Sequence, residues 1–136
     1  MENHNQTKEL LGKYYETLSA KARCDGLLSE GFLLTGTVEK EARGREAYSD
    51  NLFLRYVKSL KVKTMIIEGE RACAQVHYEL ASPKGDRFSC DAAEVWTIKE
   101  GKLGSLAMYF DTAAYQKFML PILFPLKRLE RKNSPR

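Results

Sequence analysis

The chain has no long hydrophobic run, only three cysteines, and no excess of one charge outside its last ten residues. No stretch approaches the ~18 apolar residues that a membrane-spanning helix needs. The opening "MENHNQTKEL" is polar and lacks the apolar core of a secretory leader, so the cytoplasm is the expected compartment. Cys24, Cys73 and Cys90 are odd in number and none falls in C-x-x-C spacing. That argues against a disulfide framework or a zinc site and favours buried reduced thiols. The net charge of +4 sits in "KRLERKNSPR", with five basic residues and one acidic; the remaining body carries 17 of each sign. A nucleic-acid groove would show in the folded body, so no nucleic-acid partner is expected. Nothing in the sequence calls for a metal or an organic cofactor.

At 136 residues, with 43% hydrophobic and 29% charged residues, the chain has the make-up of one globular domain. "TKELLGKYYETLSAKA" reads as a helix, with Thr7 as N-cap and Leu10, Leu11, Tyr14, Tyr15 and Leu18 at helical spacing. "RCDGLLSEGF" reads as a short helical turn broken by Gly26 and Gly31, and "FLLTGTV" as a short first strand. "REAYSDNLFLRYVKSL" presents Ala47, Leu52, Phe53, Tyr56, Val57 and Leu60 as one face of a second long helix. "KVKTMIIE" is then a strand stopped by Gly69, and "RACAQVHYELA" alternates with period two. After the turn "SPKGD", the strands "RFSCDAAEVWTI" and "KLGSLAMYF" are joined by "KEG". Asp111 then caps a closing helix, "TAAYQKFM", which Pro121 is expected to end. Helices gathered before an antiparallel meander predict an α+β fold in which a curved antiparallel sheet wraps over N-terminal helices as an open cone. Its mouth is where a small ligand would sit.

That order, with "RGREAY" opening the second helix and "EVWTIKEGKL…YFD" closing the meander, resembles the SnoaL-like and ketosteroid-isomerase-like (nuclear-transport-factor-like) superfamily. The resemblance covers about residues 7–119. It implies a single cone-shaped domain over residues 1–119, followed by a tail over residues 120–136, and a homodimer formed through the sheet. The superfamily includes isomerases, polyketide cyclases, epoxide hydrolases, dehydratases and binding domains, so the fold does not assign a reaction.

The resemblance also points to particular residues. It places Tyr14 and Glu94 where steroid isomerases hold a developing oxyanion with a tyrosine and a neutral carboxylic acid. Glu94 shares a strand face with Ala92, Trp96 and Ile98, and loss of hydration there raises a carboxyl pKa. Thr35 falls where the isomerases keep a general base, and a threonine hydroxyl does not take a proton near neutral pH. Met108 falls where cyclases and epoxide hydrolases keep an acid, so Leu106, Met108 and Phe110 form an apolar cavity wall, with Trp96 also tilted inward. His77 is the remaining candidate base; its face also carries Cys73, Gln75 and Glu79, and it is inward only if that polar face is.

"KFMLPILFPLKRLERK" adds Leu120, Ile122, Leu123, Phe124 and Leu126, too apolar to be left in water. Docking on the protein itself, as a lid or a dimer arm, is favoured over a membrane contact, although an apolar patch followed by basic residues is also an anchor pattern. "EKEARGRE" reads as a solvated loop around the mouth. Two functions fit best: a binding protein for an apolar small molecule with one or two oxygens, or an isomerase, cyclase or hydratase using Tyr14, Glu94 and His77. A structural dimerisation module is the third possibility.

Overall fold

The computed structural model describes residues 2–37, 44–49 and 51–124. Strand β4, Arg87–Lys99, shows how the architecture arises, because it alternates exposed and buried residues along its whole length. Phe88, Cys90, Ala92, Glu94, Trp96 and Ile98 form its buried face. β3, Arg71–Ala81, buries Ala72, Ala74, Val76, Tyr78 and Leu80 in the same way. A strand with this pattern covers a core on one side and meets water on the other.

With β1 (Leu28–Gly36), β2 (Val57–Glu68) and β5 (Lys102–Tyr109), these strands form one sheet in the order β1-β5-β4-β3-β2. β2 to β5 pair antiparallel, but β1 joins the edge parallel to β5. The sheet is therefore mixed, where the sequence suggested an antiparallel one. Helix α1, Glu2–Ser19, lies over the concave side and buries Leu11, Tyr14 and Tyr15. Thr7 is inside this helix rather than capping it, and its hydroxyl donates to the carbonyl of Gly69 at 2.7 Å. That bond ties α1 to the β2–β3 turn. Full burial of a side chain such as Leu11 or Phe32 stabilises by about 1.5–3 kcal/mol, and both are fully buried.

The predicted second long helix is replaced by two short ones, α2 (Arg45–Ser49) and α3 (Leu52–Arg55). The Asn51 side chain caps α3 by accepting from the Leu54 N–H at 3.3 Å, and the chain has entered β2 by Val57. Register shifts at Val57/Ser59 and Val62/Thr64 break the period-two signal of β2, which is why its start reads as a helix. A 3-10 turn at Asp25–Leu27 precedes β1, which starts earlier than predicted.

Helix α4, Thr112–Leu123, is capped by Asp111, whose carboxylate accepts from the N–H groups of Ala113 and Ala114 at 3.1 and 3.3 Å. The helix continues through Pro121 instead of stopping there. The ring removes only the bond to the carbonyl of Lys117, an exposed residue. The apolar tail thus begins as helix: Ile122 packs on the core, while Leu120, Leu123 and Phe124 are about half exposed. Leu126, the basic cluster, and residues 38–43 of the mouth loop lie outside the described residues. Cys24 and Cys90 are buried free thiols, but Cys73 is exposed on the outer face of β3. No described helix is long and apolar enough to cross a membrane.

Candidate functional site

Across the concave face, Met65, Ala74, Glu94, Met108 and Gly36 lie in register, one from each strand. Among the described residues Glu94 is the only buried carboxylate, with 1% of its surface exposed. Ala72, Ala74 and Ala92 around it are small, and the tyrosines of α1 descend into the room they leave. Gly36 belongs to the same row for a steric reason. Its φ is +141°, and a Cβ there would meet the Met108 carbonyl oxygen at 1.9 Å, so only glycine lets β1 approach β5 here.

The hydrogen bonds around Glu94 are directional. Tyr15 O–H donates to Oε1 at 2.6 Å, and Tyr78 O–H donates to Oε2 at 2.5 Å. Trp96 Nε1–H donates to the Tyr15 oxygen at 3.0 Å. Each phenol has one proton, and both are directed at the carboxylate. Burial pushes the Glu94 carboxyl up to about 7, and the Tyr15 and Tyr78 hydrogen bonds act in the opposite sense. Burial, reinforced by the Glu94 charge, holds the Tyr15 and Tyr78 phenols above their usual range. None of these partners is a cation. When Glu94 is ionised its oxygens accept both bonds, and burial shifts it toward the neutral form that a donor role to a ligand requires.

Tyr14 is buried beside Glu94 but does not bond to it. Its ring packs on Trp96 at 4.7 Å and Tyr15 at 5.0 Å, and its hydroxyl pairs with that of Tyr48 at 2.5 Å. The phenols on Glu94 are Tyr15 and Tyr78, where the resemblance placed Tyr14. Trp96 and Met108 do share the concave face, Met108 directly opposite Glu94 in the ladder. Phe110 sits at the end of β5 and joins a separate aromatic group, 4.8 Å from Phe53 and 5.3 Å from Tyr115. Thr35 pairs with Ala107 and is half-buried, on the strand face opposite buried Leu34, so it does not line the concave row.

His77 lies on the convex face with Cys73, Gln75 and Glu79. Its Nδ1 is 2.8 Å from Asp91 Oδ1, its Nε2 contacts Glu79, and Lys63 Nζ donates to Asp91 Oδ2 at 3.1 Å. The hydrogen bonds to Asp91 and Glu79 raise its pKa above the ordinary histidine value. The full thickness of the sheet separates it from Glu94, so it cannot be the base of a reaction there. The polar pattern of its face is the signal that this side of β3 is the outer one.

No protein-family model matches the sequence, and no curated protein does. Solved structures do match. A protein assigned as a SnoaL-like polyketide cyclase from Jannaschia sp. CCS1 has a TM-score of 0.71 at 16% identity, covering 85% of this chain and 92% of that one. One assigned as a ketosteroid isomerase from Kribbella flavida has a TM-score of 0.66 at 20% identity, covering 79% of each chain. The fold is SnoaL-like. TerC, co-crystallised with polyporic acid, also shares it: TM-score 0.68, 15% identity, 84% of this chain and 98% of that one. At these identities the likeness is one of fold, and the SnoaL-like cone locates the concave face without assigning chemistry to it.

Proposed function

We propose that the chain binds an apolar small molecule carrying one or two oxygens on the concave face of its SnoaL-like fold, with Glu94 as the polar contact. The observation that carries this reading is Glu94 itself. A carboxyl held at 1% exposure without a cation partner is costly, and a carbon side chain of similar size would pack the same core more cheaply. Glu94 is closed off by Trp96, Tyr78 and Tyr14, so a ligand reaches it only by displacing a side chain. TerC, holding polyporic acid, supports a binding role for the fold by analogy.

A second reading is acid/base catalysis of the isomerase, cyclase or hydratase kind, with Glu94 taking the role expected of His77. Its carboxyl at about 7 exchanges a proton readily near neutral pH. The two readings separate in one experiment. Hydrophobic ketones and enols are screened by thermal shift against wild type and Glu94→Gln, and each hit is incubated in D2O. Stabilisation of wild type that is lost in the variant supports binding, and deuterium incorporation that depends on Glu94 supports catalysis. A library that stabilises neither protein overturns both.

We further propose a homodimer through the convex face. Ile66, Cys73, Val95 and Ala107 form a row in register across four strands, and Ile66 is 72% exposed. Sedimentation equilibrium of wild type against Ile66→Lys tests it; a wild type that stays monomeric at all concentrations overturns it.

A further inference from the structure

An open cleft of about 570 Å³ lies between the end of α1, the 3-10 turn and the α2–α3 segment. Its walls are of two kinds. Leu18, Leu54 and Val57 make one side apolar, while Lys21 and Arg55 bring two positive charges. Arg23 and Asp25, also in the wall, neutralise each other at 2.7 Å, and Asp25 accepts from Ser49 as well. Lys21 and Arg55 make no ion pair among the described residues. Among the described residues the cleft therefore holds two cations without an ion-pair partner beside an apolar surface.

Tyr48 lies in the wall of this cleft and also touches the Glu94 network. Its hydroxyl is 2.5 Å from that of Tyr14, whose ring rests on Trp96, and its own ring stands edge-on to Phe32 at 5.5 Å. It is 4% exposed, and Tyr14 stands behind it, so a pair of tyrosines joined through their hydroxyls separates the open cleft from Glu94. Tyr48 is carried by α2, a helix of five residues. A helix that short has no stability of its own and is held by its side-chain contacts, so moving it costs few backbone bonds.

We infer that this cleft is the port through which the ligand enters, that Tyr48 and the Tyr14 paired with it are the side chains displaced, and that the ligand class is an apolar molecule ending in one acidic group. The acidic group stays at Lys21 and Arg55, while the oxygen-bearing apolar end passes Tyr48 and Tyr14 to Glu94. The inference rests on the proposed ligand site at Glu94 and adds to it the direction of entry and the charge of the ligand.

The test uses two fluorophores of similar body, 8-anilinonaphthalene-1-sulfonate, which is anionic, and N-phenyl-1-naphthylamine, which is neutral. Both accept energy from Trp96, the one tryptophan of the chain. Wild type is expected to bind the sulfonate saturably, with quenching of Trp96 emission and an affinity that falls as salt rises. Lys21→Asn with Arg55→Gln should weaken the sulfonate about tenfold or more, as expected for loss of two charged contacts, and leave the neutral probe within about twofold. Asparagine is chosen because Lys21 has φ +60°, which asparagine tolerates, and both sites are exposed, so the fold is retained. Tyr48→Phe, which removes the hydroxyl pair but keeps the ring, should speed association of both probes. Equal binding of the sulfonate to wild type and to the double variant overturns the inference, as does binding without quenching of Trp96. Glu94→Gln separates the two ideas. If it changes the affinity of both probes while the double variant changes neither selectively, the Glu94 site stands and the port fails. If charge selectivity at the cleft persists and Glu94→Gln is silent, it is the Glu94 reading that fails.

Discussion

Asp91 and Glu94 are three residues apart in one strand and end on opposite faces of the sheet. On the convex side, Asp91 meets His77 and Lys63, which hold its carboxyl below the usual range. On the concave side, Glu94 meets phenols and an indole, and burial pushes it up to about 7. The same functional group in the same strand is thus moved in opposite directions, and what differs is the access of water and the sign of the neighbours. A charged cluster in water has no need of a function to account for it, because solvation and pairing suffice. An isolated buried carboxyl stands against the grain of folding, and that is why Glu94 rather than the more conspicuous His77 cluster marks the site.

The largest expected effect tests whether the concave face alone supports the fold. Trp96→Ala empties the centre of the core and should cost about 3–5 kcal/mol. Val95→Ala, the adjacent residue on the convex face and 38% exposed, should cost less than about 1 kcal/mol. Urea unfolding of both variants checks the contrast; equal losses would mean the convex face is as buried in solution as the concave one, as a tight dimer would make it.

Next comes the pH dependence of Glu94. Its folded pKa of about 7 lies above the ordinary 4.5, so between those values the folded protein binds more protons than the unfolded chain. Stability contributed by the protonated form is complete below about pH 4.5 and falls as pH rises through about 7, by roughly 3 kcal/mol in all at 1.36 kcal/mol per pH unit. Glu94→Gln should flatten that slope. Unfolding free energies of both proteins measured from pH 5 to 8 decide it, and a parallel decline in the variant would assign the effect elsewhere.

Much of this contrast could be read from the sequence. Glu94 among Ala92, Trp96 and Ile98, the strand alternation and the Asp111 cap are local patterns, and local patterns survive folding. The bonds of Tyr15 and Tyr78 to Glu94 are not legible there because they depend on reach between elements: one comes from α1 and the other from a diagonal position on β3. "KYY" offers two adjacent tyrosines, and the helical spacing that buries both does not say which hydroxyl reaches the acid. The start of β2 was lost to its bulges, and the parallel edge strand β1 rests on a long-range pairing that no short window contains.

A smaller effect concerns the donors to Glu94. Tyr78→Phe removes one of two hydrogen bonds to a buried carboxylate, at a cost of about 1.5–3 kcal/mol when the acid is ionised. That bond stabilises the charged form, so its loss should move the Glu94 midpoint upward, beyond about 7. Carboxyl-carbon NMR titration of Glu94 in the two proteins measures the shift, and an unmoved midpoint would show that Tyr78 is not its partner in solution.

The smallest effect is expected on the convex face. The bonds to Asp91 and Glu79 raise the folded pKa of His77, so the stability its charge contributes is present below about pH 6.5 and is lost as pH rises through the higher folded value. Because the imidazole is exposed to solvent, most of that attraction is screened. His77→Asn should leave ligand affinity and any turnover at Glu94 unchanged, and alter stability only slightly and only on the acid side. Binding isotherms and unfolding curves at pH 5.5 and 8 provide the check. A loss of binding or turnover in this variant would mean that the two faces of the sheet are coupled, and that the division between a functional concave side and a solvated convex side is wrong.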